Sequence, residues 1–542
     1  MSFFRKLFTK REGDEQLQPP SMPWDQRPSI YEHIRSHVDS DQPGLTEGGD
    51  TLPDEDRINA DSQIRWAAGA MDGVMGHHMG EGDNEPLVRK AVDLVLGYCK
   101  SPTAKTKAAL YQHVIEGNTL PLIDPIVETL VGNDQLDHQR LYELAYSFVT
   151  EAPDREPVKI GIAVLGLYRN PENELLFQIL GRHEEFTLFC AVALSNLSDD
   201  AEPSLWTLAR NVSGWGRIHV VERLSQTQNP EIKNWLLRDG YRNSVMYEYL
   251  AYTCATTGGL LSALSEDTVD RDLLTSAGEI LAALIAGGPA ESIDHYEDGA
   301  VTIEMFLGHI ESSAETLDDF IHVHTIKWFL DDEDADWDSR AQRGWTSEQR
   351  TGLRAICDRI MNRPDWADQA RHGLASDDDM EVHRANQVAE ALGLDTWETH
   401  WRRLHERPTD SGRWYQVMAR CNDNRIGDVI AFAEQSMDVA KIATGPAGEM
   451  GFGPGWEQHD CLDFVLQELR RFPGYGQQLI AAGLQSPVIR NRNMAVAALA
   501  AWGCDNWTDA TREAIESSSR IEPEGDVRER MQKALKGEPL DD

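Results

Sequence analysis

The stretch VKIGIAVLGLYRNPENELLFQIL at 158–180, followed by EEFTLFCAVALSNL at 184–197 and WGRIHVVERL at 215–224, decides the fold. Across 154–264 one helical phrase returns three or four times. Pro157 opens an apolar helix that runs to Tyr168, and Asn170-Pro171-Glu172 starts a second. Asn229-Pro230-Glu231 repeats that start 59 residues later. Leu165, Leu194 and Leu224 hold matching places, 29 and 30 residues apart. Each helix carries apolar residues at i, i+3, i+4 and i+7, a stripe that one helix pair cannot hide and that stacked pairs bury continuously. An asparagine at the N-cap accepts from the orphan N–H groups of the first turn, and a proline just inside the helix loses no needed donor. A two-helix unit with this period predicts an all-α, right-handed α-solenoid.

Composition narrows the function classes. Asp plus Glu number 91 against 51 Lys plus Arg, a formal net charge of −40 over 542 residues. Holding DNA or RNA phosphates takes clustered cations, so no nucleic acid is expected as a partner. The same surplus suits a basic polypeptide. Hydrophobic residues, at 41%, are ample for a buried core. The seven cysteines, at 99, 190, 254, 357, 421, 461 and 504, form no C-x-x-C pair and lie mostly in apolar helical patterns. That pattern reads as reduced thiols of a cytoplasmic protein, not as a disulfide frame or a zinc site. No apolar run approaches the roughly 18 residues of a membrane helix, and Arg5 and Lys6 interrupt any secretory signal.

Residues 2–11, SFFRKLFTKR, set Phe3, Phe4, Leu7 and Phe8 beside four cations, the makings of a weak membrane-surface contact. The rest of 1–60 reads as a flexible, disordered arm with a short helix near 30–38. Six prolines fall between 19 and 53, and 39–56 holds seven acids and no base. Helices are expected at 62–79, 86–99, 103–116, 121–131 and 135–150, ahead of the repeats. The first half of the array then covers 61–330, a solvated acidic insert around DDEDADWD fills 331–347, the second half covers 348–520, and 521–542 is a polar tail.

LQSPVIRNRNMAVAALAAWG at 484–503 resembles the boundary between two HEAT repeats. Leu484, Ser486, Pro487, Val488, Arg490, Ala495, Ala498 and Leu499 fill the places of that pattern. EEFTLFCAVALSNL matches more loosely, with Thr187 where arginine is usual. The resemblance, which covers about 150–520, implies a HEAT/armadillo-like array that binds partners on its concave face, with Arg490 making the ladder contact usual in such arrays. The stretch 451–503 also resembles bacterial proteins labelled "limonene hydroxylase", and that label implies an oxygenase.

An oxygenase needs haem, flavin or a metal with open positions. The residues offer only His295-x-Glu297 with His322 or His324 downstream, and these read as loop and helix-end residues, so no cofactor and no metal are expected. His33 and His37 lack the glutamate of H-E-x-x-H, and His77 and His78 are adjacent. Asp334, Asp336 and Asp338 alternate like a calcium loop, but Ser339 and Trp345 stand where glycine and glutamate belong.

One feature interrupts the array. GPAGEMGFGPGW at 445–456 carries five glycines and no lysine, so it is not a phosphate loop. Long loops in compact arrays are uncommon unless functional or disordered. The expected partner-binding residues are Phe452 and Trp456, the latter as an apolar anchor, with His459 and the nearby Asn491, Arg492 and Asn493. The sequence therefore reads as a non-catalytic scaffold or adaptor. An enzyme with its site near 445–460 and a peripheral membrane adaptor acting through 2–11 are the competing classes.

Overall fold

The computed structural model describes residues 27–59, 67–70, 85–134 and 136–540. Among them every regular element is a helix, and the only β pairing is an isolated parallel bridge between Glu449 and Val488. The chain divides into two compact units, Met1–Arg363 and Pro364–Asp542. Residues 2–11, the expected helix over most of 62–79, and His77 and His78 lie outside the described residues.

In the first unit, helices Arg155–Leu165, Glu184–Leu197 and Trp215–Arg223 pack in succession. Leu165, Leu194 and Leu224 are all buried in that stack, each burial contributing about 1.5–3 kcal/mol. Asn170 accepts from the Glu172 N–H at 3.1 Å, and Asn229 from the Glu231 N–H at 2.9 Å, with Pro171 and Pro230 just inside. Thr187 sits where space is short. A Cβ on Gly216 would meet the Thr187 hydroxyl at 2.5 Å, and that hydroxyl donates to the Gly181 carbonyl. The row continues through Glu248–Gly258, Arg271–Ala286, Leu317–Asp331 and Ser347–Met361, each packed on the one before. The acidic stretch 331–347 lies inside this unit, and Trp345 in it is buried.

The expected disordered arm is folded over 27–59. Ser29 caps helix Ile30–Ser36, whose Ile30 and Ile34 are fully buried against helices His138–Glu151 and Glu174–Leu180. The Ile30 N–H donates to the Ala152 carbonyl at 2.9 Å. Arg27 and Arg57 both hold Asp154 at 3.1 Å, and buried Asp54 pairs with Arg155 at 3.1 Å. The Tyr111 hydroxyl also donates to Asp154. Reciprocal charges and two isoleucines one turn apart outweigh the chain entropy that prolines and acids suggest.

The second unit runs from helix Asp365–Leu374 to helix Gly525–Lys536. Its core joins Trp414, Leu462, Leu466, Leu484, Leu499 and Met531. The expected polar tail at 521–542 is corrected here: Val527, Met531 and Ala534, at i, i+4 and i+7, form a buried face against helix Ile489–Trp502. All seven cysteines are unpaired and six of them are buried.

Candidate functional site

Helices Glu457–Leu469 and Ile489–Trp502 pack together, and the glycine-rich segment crosses the turn that leads into the second of them. Main-chain bonds pin that segment. Gly445 N–H donates to Gln485 O at 2.8 Å, Glu449 N–H to Pro487 O at 3.2 Å, and Ile489 N–H to Glu449 O at 3.1 Å. Gly451 is the residue that lets the two strands of chain approach. Its φ is +74°, and a Cβ there would lie 2.7 Å from Val488 Cγ2, so only glycine fits.

Beyond that pin the chain turns its apolar side chains outward. Phe452 is 65% exposed and Met450 53%. The Arg490 guanidinium lies 5.6 Å from the Phe452 ring centre, within cation–π reach. Arg490 itself pairs with Asp460 at 2.6 Å and with Asp463. Trp456 is half-buried at the start of helix Glu457–Leu469, its ring 5.0 Å from that of His459.

Beneath the surface lies a closed polar network. His459 Nδ1 stands 3.1 Å from Ser486 Oγ and 3.0 Å from Asn491 Oδ1. The Ser486 hydroxyl donates to Asn491 Oδ1 at 2.8 Å and accepts the Val488 N–H at 3.1 Å. Asn491 Nδ2 donates to the His459 carbonyl at 2.8 Å and to Asp463 at 2.5 Å. Burial pushes the Asp463 carboxyl above its ordinary range, against the opposing pull of Arg490 and Asn491. A serine, a histidine and an acid here do not form a nucleophile set. Ser486 is fully buried and its proton is committed to an amide oxygen, whereas a nucleophile must present its oxygen to substrate with a base at hand.

The six expected binding residues therefore part company. Phe452 is on the surface and Trp456 at its edge. His459, Asn491 and Arg492 are buried, which corrects their assignment: enclosed side chains cannot meet a partner. Arg492 makes a bidentate pair with Glu522 at 2.7 and 2.9 Å and donates to the carbonyls of Ser486 and Pro487 at 2.8 and 2.9 Å. Both members of that pair have no exposed side-chain area. Arg492 thus ties the turn under the loop to the end of helix Asp509–Ile521. Asn493 lines a different groove, of about 700 Å³, with Arg470, Met494, Cys504 and Trp507. Met450, in the same loop two residues before Phe452, was not among the expected binding residues, and Glu522 gave no local signal, since its role depends on a partner thirty residues away.

The other constellations do not converge. His322 is buried with Nδ1 against Gly278, His295 Nδ1 accepts from the Ser292 N–H at 3.1 Å, and His324 stacks on Phe320. Among the described residues no group of three His, Cys, Asp or Glu side chains is placed to hold a metal ion. Asp332 and Asp336 cap turns, accepting from the N–H groups of Asp334 and Ser339. No family model, curated protein or solved structure matches the chain.

Proposed function

We propose that the chain is a non-catalytic binding protein, a HEAT-like right-handed α-solenoid that captures a basic polypeptide on the 449–456 segment. The observation that carries this reading is the exposed pair Met450 and Phe452 on a segment fastened by main-chain hydrogen bonds. Large apolar side chains held outward on a fixed backbone give up little further entropy on binding, and that favours a hot spot. The surroundings select for charge. Glu449 and Glu457 lie on or beside the segment, and Glu524 approaches Gly448, while Arg490 is already paired with Asp460 and Asp463. The partner therefore presents an apolar side chain flanked by lysine or arginine. Repulsion from the net charge of −40 disfavours nucleic acid at the same surface.

The test uses the full chain and a Met450→Ser/Phe452→Ser variant. Partners captured from the native host are purified and titrated against both by calorimetry. Expected is a basic protein whose affinity falls at least about tenfold in the variant and weakens with salt, while both chains melt together. Equal affinity for the two chains overturns the reading.

A further inference from the structure

The first unit contains a second candidate site, unrelated to the segment at 449–456. A pocket of about 790 Å³ opens between the folded N-terminal segment and the starts of helices Glu184–Leu197 and Trp215–Arg223, a volume within the usual range for small-molecule sites. Its lining runs against the composition of the chain. Arg155, Arg182, Arg210 and Arg217 line it, against the carboxylates of Asp50, Glu55 and Glu184, in a protein whose acids outnumber its bases 91 to 51.

Two of those acids are already engaged. Glu184 accepts from the N–H groups of Ser213, Gly214 and Gly216 at 2.9, 2.7 and 2.5 Å, closing the N-terminus of helix Trp215–Arg223. Glu55 pairs with Arg155 at 2.7 Å, and Arg155 also holds Asp54. Arg217 is taken up by Asp239 and by the carbonyls of Val212 and Arg242.

Arg182 and Arg210 are different. Arg182 is half-buried and reaches only the carbonyls of Asp39 and Gly44, through one nitrogen, at 3.5 and 3.2 Å. Burial pulls its pKa below the ordinary arginine value. Arg210 is exposed and rests over the Trp206 ring at 4.7 Å. Neither meets a carboxylate among the described residues. Arg182 and Arg210 thus keep donor nitrogens free to face the pocket that both residues line.

We propose that this pocket binds a phosphomonoester. The dianion matches two guanidinium groups, whose planar forks suit phosphate oxygens. The exposed Ser213 and Ser244 supply further hydroxyl donors at the pocket wall. Leu45, Val212, Trp215 and Val245 form an apolar wall for the organic body of the ligand, so an ester is preferred over the free ion.

Calorimetry and thermal melting of the full chain with inorganic phosphate, adenosine monophosphate and adenosine test the site. Expected is binding of the monophosphate, weaker binding of inorganic phosphate, and none of adenosine. Arg210→Gln removes a cation that makes no fold-holding hydrogen bond. It should cut monophosphate affinity at least about tenfold and leave the ligand-free melting temperature unchanged. Arg182→Lys, which keeps charge but loses the fork, should also weaken binding. Failure of the parent chain to bind either phosphate below about 10 mM overturns the proposal. So does an Arg210→Gln chain that binds as the parent does, or adenosine binding as tightly as its monophosphate.

Discussion

Two stretches break the run of helices, and they behave in opposite ways. The acidic one, 331–347, leaves Glu333, Asp334, Asp336 and Asp338 exposed but turns one ring inward: Trp345 is 2% exposed and packs edge-on against Phe329 at 5.1 Å. Arg340 lies 4.4 Å from the Phe329 ring and 4.9 Å from Trp337, and Arg350 covers Trp337 at 3.9 Å. Arg340 is held in turn by Asp294 at 2.7 Å. The glycine-rich one, 445–456, turns Met450 and Phe452 outward, with the Arg490 guanidinium 5.6 Å from the Phe452 ring centre. Composition alone places the acids in water, as they are, but does not foretell a buried Trp345 or an exposed Phe452. The lesson is that a ring in an insert is covered when neighbouring elements offer rings and guanidinium groups to stack on it. It stays exposed when the insert's own hydrogen bonds are satisfied by a turn below it.

Four experiments probe that contrast. The largest effect is expected from Trp345→Ala, which empties a buried ring site and should destabilise the first unit by about 3–5 kcal/mol in denaturant unfolding. A loss under about 1 kcal/mol would mean the insert is not part of the core. Gly451→Ala comes next. It places a methyl against Val488 at a positive φ and should cost about 1–3 kcal/mol, with loss of protection at the Glu449 and Ile489 amides in hydrogen exchange. Unchanged protection would show that the segment is not pinned there.

Acid should loosen the stretch that carries Trp337 and Trp345. The hydrogen bond from Arg340 holds the Asp294 carboxyl below its ordinary 3.8, with burial opposing. Because the folded value is depressed, its contribution is complete above pH 3.8 and fades as pH falls through the lower folded value. Emission from Trp337 and Trp345 should therefore shift below that pH. The shift should be absent in Asp294→Asn, whose carboxamide does not titrate. The smallest effect belongs to Phe452→Ala, within about 0.5 kcal/mol of the parent as an exposed site. A larger loss would mean the ring is structural and would weaken the binding reading above.

Much of the helical layout was legible because its signals are local and periodic. Leu165, Leu194 and Leu224 recur at a fixed interval, and the two Asn-Pro-Glu starts carry their own capping chemistry. Of the candidate site, the place was legible and the membership was not. A five-glycine break announces the segment, but Asn491, Arg492 and Asn493 stand about 100° apart around one helix and so face three different surroundings.

What the sequence by itself determined, then, is helix where apolar spacing and caps agree. It also determined an acid surplus that any partner must answer. The tertiary structure decided the rest, because burial belongs to pairs of distant residues. Arg492 is inside because Glu522 comes to meet it, Ile30 because Ala152 offers a carbonyl beside an open apolar face, and Val527 because helix Ile489–Trp502 covers it. Arg182 and Arg210 line one pocket because helices Glu174–Leu180 and Glu202–Ala209, which they follow, end at it. Each depends on residues 25 or more positions apart in the chain, which no local pattern encodes.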